Sequence, residues 1–102
     1  MAWNQRDWER WIRRLAKNNS GRIKWSTHAQ KQMRARKITM PIVLDVLRNG
    51  VIQREPEISI KTGFHECRME RFCAGRNLAV IVAIEEEKAS SCLVVTAFVT
   101  GE

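Results

Sequence analysis

His28 stands early in the stretch "WSTHAQKQMRARKI", residues 25–38, and Arg34, Arg36 and Lys37 close it. Imidazole exchanges protons near neutral pH, and a guanidinium fork grips phosphate oxygens through two bonds at once. Such a set suits metal-free proton transfer at a phosphodiester. One group takes the proton of a 2′-hydroxyl, a second protonates the leaving 5′ oxygen, and cations stabilise the charged phosphorane. Arg71 and Arg76 are further arginines that could join His28 and Arg36 in that work. A plainer reading stands beside it: His28 caps a helix or bonds a strand carbonyl, and Arg36 pairs with a carboxylate such as Asp45.

The elements that must position these residues follow from periodicity. Residues 3–17 place Trp8, Trp11, Ile12 and Leu15 at helical spacing, with arginines over the rest of the surface. "NNSG" ends that helix. A second helix spans Thr27–Arg36, with Ser26 or Thr27 as its cap, and sets His28 and Arg36 roughly 12 Å apart along the axis. His28, at the N-terminal end, meets free amides that attract anions. A third helix spans Met40–Arg48, with Thr39 before it, Pro41 in its first turn and Gly50 past its end.

After Gly50 the period changes to two. "VIQRE" reads as a short strand, "FHECRMERFC" as an alternating one, and "NLAVIVAIE" and "CLVVTAFVT" as central strands. "AGRN" and "EEKASS" are hairpin connections. Arg68, Glu66 and Glu70 share one face of their strand, as a solvated charge ladder or part of a site, and Arg71 points to the other face. The expected fold is α+β: helices packed on a three- to four-stranded antiparallel sheet.

Charge is placed unevenly. Residues 1–37 hold eleven Lys or Arg against two acids, and the remainder holds seven against nine. A one-sided positive field attracts polyanions, and nucleic acid is the expected partner, RNA ahead of DNA. The expected contact residues are Arg6, Arg10, Arg13, Arg14, Lys24, Lys31, Arg34 and Lys37. An acidic partner protein or a merely solvated face is the alternative. The tryptophans of the first helix fit a core, a partner or a base stack.

Other chemistries fit less well. The apolar run "LAVIVAI" is too short to span a bilayer, and charge interrupts every apolar group near the N-terminus, so the expectation is a cytoplasmic protein with no membrane partner. Three cysteines without CxxC spacing do not suggest a disulfide framework. His65, Cys67 and Cys73 share strand parity, but an H-x-C on one strand spreads its ligands about 7 Å apart, so no metal is expected. No cofactor motif is present: the chain has no P-loop, GxGxxG or HExxH.

"HAQKQMRARKI", "VLRNGVI", "GRNLAVIVAIEEE" and "LVVTAF" in that order resemble the domain of unknown function family 4258, related to the RelE and BrnT toxins. The resemblance covers residues 27–99 and rests on order and spacing, with matches at His28, Met33, Arg36, Ile38, Gly50, Gly75, Arg76 and Thr96. One position departs: Gln32 stands where the pattern has an arginine. The resemblance implies a RelE-like (barnase, EndoU, colicin, RelE) fold over residues 23–102, with residues 1–22 as an added basic, Trp-rich helix. It also implies a metal-independent ribonuclease toxin paired with an acidic antitoxin. A non-catalytic nucleic-acid-binding or inhibitory module on the same fold, acting on a nucleoprotein partner, is the second expectation.

Overall fold

Residues 3–87 and 89–101 are described in the structure, a computed structural model. Three helices pack on a sheet: α1 (Gln5–Asn18), α2 (Thr27–Arg36) and α3 (Met40–Asn49), with strands β1 (Ile23–Trp25), β2 (Val51–Ile52), β3 (Glu57–Ile58), β4 (His65–Cys73), β5 (Arg76–Ile84) and β6 (Cys92–Val99). Apart from β1, which falls between α1 and α2, the helices come before the strands, and the helices-on-a-sheet layer is the α+β fold that the period change implied. The first helix starts two residues later than its apolar stripe suggested. Asn4 caps it, accepting from Asp7 N at 2.9 Å, while the Asp7 carboxylate accepts from Asn4 N at 3.0 Å.

The strands run in the order β1-β6-β5-β4-β2, with β3 also on β4. β4, β5 and β6 form the expected antiparallel meander. Two additions were not legible. β1 pairs with β6 in parallel through three residues, and β3 adds two residues to β4. The strand read as "VIQRE" keeps only Val51 and Ile52.

Alternation gives the sheet two unlike faces. His65, Cys67, Met69 and Arg71 lie on one side of β4, opposite Ile84, Val82, Val80 and Leu78 of β5. Cys67, Met69 and all four β5 residues are buried. α1 and α3 cover this side with Trp8, Ile12, Leu15, Val43, Val46 and Leu47. The first helix thus packs into the same core as the sheet. Glu66, Arg68, Glu70 and Phe72 face the other way, and Phe72 is 65% exposed there. α2 lies along the β6 margin, past the point where β1 ends.

Gly50 holds the junction of α3 and β4 for a reason other than a left-handed turn, since its φ is −77°. A Cβ there would stand 2.4 Å from the Val46 carbonyl oxygen and 2.8 Å from that of Glu70, so two backbone segments meet over its missing side chain. The β4–β5 hairpin turns through Ala74 and Gly75, both at positive φ (52° and 76°), with Cys73 and Arg76 closing the pair. Two left-handed central residues match the twist of the strands, and the turn delivers Arg76 to the end of α2.

Candidate functional site

α2 is placed by its start. Ser26 N donates to Val94 O (3.1 Å), its hydroxyl accepts from Ala29 N (3.0 Å), and Gln30 Nε2 donates to Trp25 O (3.2 Å). Ala29 and Met33 then enter the core. His28, Gln32, Ala35 and Arg36 follow one another at i, i+4, i+7 and i+8, so they form a second stripe on the helix. The lower part of that stripe faces the uncovered side of the sheet.

Between the stripe and β6 lies an open cleft of about 610 Å³, lined by Gln32, Ala35, Arg36, Arg76, Thr96, Phe98 and Val99. The Thr96 hydroxyl and the Gln32 side-chain oxygen are hydrogen-bonded across it. At its foot Arg76 donates to the carbonyl oxygens of Arg36 (2.8 Å) and Lys37 (3.2 Å), which the end of α2 leaves without helical partners. Lys37 ends the helix in the left-handed conformation, φ 56°. Farther onto the sheet, the Arg68 guanidinium lies 5.0 Å from the centre of the Phe98 ring and 3.5 Å from Glu70 Oε2. Its Nε is buried and makes no hydrogen bond among the described residues. Glu70 neutralises Arg68 above Phe98, while Phe72 lies in the open, so this face offers aromatic surface beside the arginines of the cleft.

Of the four residues expected to do chemistry, Arg36 and Arg76 line this cleft. His28 is exposed one turn above Gln32 on the same stripe, roughly 6 Å along the axis. Arg71 lies on the helix-covered face, its Nε 3.1 Å from Asp45 Oδ2. The Asp45 pairing considered for Arg36 is thus made by Arg71. Burial acts to raise the Asp45 pKa, but hydrogen bonds from Arg71 and Asn49 and the Arg71 charge outweigh it and lower the net value.

The expected contact residues divide in the same way. Arg13 is structural: Nε and Nη2 donate to Gly50 O at 2.9 and 2.7 Å, and Nη2 lies 3.8 Å from Glu9. Glu9, 6% exposed, accepts from Ile52 N at 2.8 Å and pairs with Arg6 at 3.4 Å. Arg10, Arg14, Lys24, Lys31, Arg34 and Lys37 are exposed. His65 is stacked on Trp8, ring centres 4.7 Å apart, and Cys67 and Cys92 are buried with their thiols pushed up to about 12, by burial above all. Among the described residues no group of three metal-ligating side chains gathers, and no helix is long and apolar enough to cross a membrane.

Sequence reasoning did not single out Phe98, and it treated Gln32 only as a departure from a pattern. Strand parity held the signal for Phe98, since Thr96 and Phe98 share a face. Gln32 was legible as the helical neighbour of both His28 and Arg36.

A family model described as "Domain of unknown function (DUF4258)" matches residues 25–99. The chain belongs to the DUF4258 family. Neither the curated proteins nor the solved structures returned a match. The DUF4258 match begins at Trp25, the last residue of β1, so every cleft residue lies within it and all of α1 lies outside.

Proposed function

We propose that this DUF4258 protein is a metal-independent endoribonuclease of the toxin type, which lays single-stranded RNA over the uncovered sheet face and cuts it beside α2. One observation carries the reading. Gln32 and Arg36 of α2 converge with Arg76 and Thr96, distant in the chain, on one concave basic cleft, and all four lie within the DUF4258 match.

Arg36 reaches the phosphate, Arg76 holds the α2 terminus in place beside it, and the Gln32–Thr96 pair fixes the wall. His28 takes the proton of the 2′-hydroxyl as its oxygen attacks phosphorus. The P–O5′ bond breaks and the 5′ oxygen takes a proton from water at the open cleft, leaving a 2′,3′-cyclic phosphate and a 5′-hydroxyl. Phe72 and Phe98 supply stacking surface for the flanking bases. Such an enzyme would act on cytoplasmic RNA, and an acidic antitoxin covering the cleft would match its charge.

A second reading, a non-catalytic nucleic-acid-binding or inhibitory module acting on a nucleoprotein partner, is favoured by a specific observation. Two of the four expected catalytic arginine and histidine groups, Arg71 and Arg76, already hold partners within the fold.

The two readings separate in one assay: end-labelled RNA in EDTA with the wild type, His28→Ala and Arg36→Ala. The nuclease cleaves to cyclic-phosphate ends, His28→Ala cleaves at least about 100-fold more slowly with binding retained, and Arg36→Ala binds more weakly. Binding by the wild type without any cleavage would leave only the module.

A further inference from the structure

The α1 surface that faces away from the core carries a different arrangement of groups. Trp11 packs in part against the core but is only half-buried, and a groove opens on either side of it. One, about 280 Å³, runs between Trp11, Arg14 and Arg22 and is closed by Ala89 and Ser90 of the β5–β6 connection. The other, about 180 Å³, lies between Trp11, Arg10 and Trp3. The aromatic ring is thus a ridge between two basic troughs. Arg10, Arg14 and Arg22 are exposed and make no ion pair among the described residues. Two acids stand at the margin and both are engaged by backbone amides, Asp7 by Asn4 and Glu87 by Trp3. Arg6 and Arg13, by contrast, are turned to Glu9.

This surface is remote from the cleft in two respects. α1 packs on the covered side of the sheet, where Trp8 meets His65, whereas Thr96 and Phe98 line the other side. The cleft also sits at the Arg76 end of β5, and the Ala89–Ser90 connection follows its Ile84 end. Nine residues of strand separate those ends, roughly 26 Å at the usual rise. A phosphate held by Arg36 is therefore out of reach of Arg14 or Arg22.

We infer that the outer face of α1 is a second, independent binding site for single-stranded nucleic acid, with a base stacked on Trp11 and flanking phosphates held by Arg10, Arg14 and Arg22. Charge complementarity and the alternation of arginines with an accessible indole are the grounds. Aromatic platforms beside a cationic track bind strands without regard to sequence. Trp11, Arg10, Arg14 and Arg22 lie outside the DUF4258 match, so these binding groups are an addition to the family domain. It does not depend on the chain being a nuclease.

The test uses an uncleavable probe, a 2′-O-methyl RNA oligonucleotide, so binding is read whether or not RNA is cut. The intact protein is titrated as wild type, Trp11→Ala, the exposed pair Arg14→Ala/Arg22→Ala, and Arg36→Ala in the cleft. In the Arg36→Ala background, where the cleft is weakened, loss of the stacking ring is expected to weaken binding roughly 5- to 150-fold. Removing two phosphate contacts should lower the slope of log affinity against log salt by about 1.4. The arginine pair is surface-exposed and keeps the test valid if Trp11→Ala is poorly folded. Arg36→Ala combined with the arginine pair should lose both contributions, as separate sites require. With Arg36→Ala in both, an RNA affinity and salt slope left unchanged by the arginine pair would overturn the proposal. So would a polyglutamate probe that binds through these arginines while RNA does not, because that result would assign the face to an acidic protein.

Discussion

Arg13 and Arg14 are adjacent in the sequence and equal in charge, yet only one of them holds the fold together. Arg13 sends two hydrogen bonds, 2.9 and 2.7 Å, to the carbonyl oxygen of Gly50 and stands 3.8 Å from the buried Glu9 carboxylate. Hydrogen bonds from a charged donor are worth about 1.5–3 kcal/mol. Arg13→Ala also leaves Glu9 with only Arg6 and the Ile52 amide for compensation. Part of the gain is screened because the Arg13 side chain is about a third exposed, 35%, so the expected loss is about 2 kcal/mol. For a domain near 100 residues that corresponds to a melting temperature lower by about 8–16 °C. Arg14 touches none of these groups, and Arg14→Ala should stay within about 0.5 kcal/mol of the wild type. Urea titrations followed by tryptophan fluorescence compare the two directly. Equal midpoints for the two variants would refute the division of these arginines into structural and surface groups.

Gly50→Ala forces a methyl group to within 2.4 and 2.8 Å of two backbone oxygens, and a cost of at least about 1–3 kcal/mol should appear as a lower denaturation midpoint; an unchanged one contradicts the close approach. The thiols of Cys67 and Cys92 are raised from 9.0 to about 12 in the fold. The unfolded chain releases those protons first, so stability should hold below pH 9 and fall between pH 9 and 12. Each thiol contributes about 1.4 kcal/mol per pH unit in that window, and Cys67→Ala should flatten the alkaline limb of a denaturation series. Asp45 behaves in the opposite sense: its lowered pKa means a contribution present above the ordinary 3.8 and lost as pH drops through the folded value. Arg71→Gln should therefore weaken the acid dependence, and an unaltered acid limb would deny the pair that role.

Much of this arrangement was legible because local signals agreed with the final packing. The second helix was read with its observed bounds because a serine cap, a polar ten-residue run and the following turn mark it independently. β5 and β6 were visible as branched apolar runs because they are central to the sheet. β1 was not legible: a three-residue strand has too few alternations to show a period, and its parallel partner is about 70 residues away. The site was half legible for a similar reason. Helical spacing linked His28 and Arg36, but Gln32 was met only as a departure from a pattern, and Arg76 and Thr96 join them only through a hairpin turn and strand register. Charge counting failed to separate the arginines, since Arg13 and Arg71 are held by a carbonyl and a carboxylate that only the tertiary fold supplies.

On the proposed function, RNA enters the cleft between α2 and β6. The measurement closest to this is an amide chemical-shift titration with a short 2′-O-methyl RNA, using the Arg14→Ala/Arg22→Ala variant so that the α1 face is weakened. Shifts are expected at Gln32, Arg36, Arg76, Thr96 and Phe98, fading as salt rises. Saturation with no shift at those residues would contradict it.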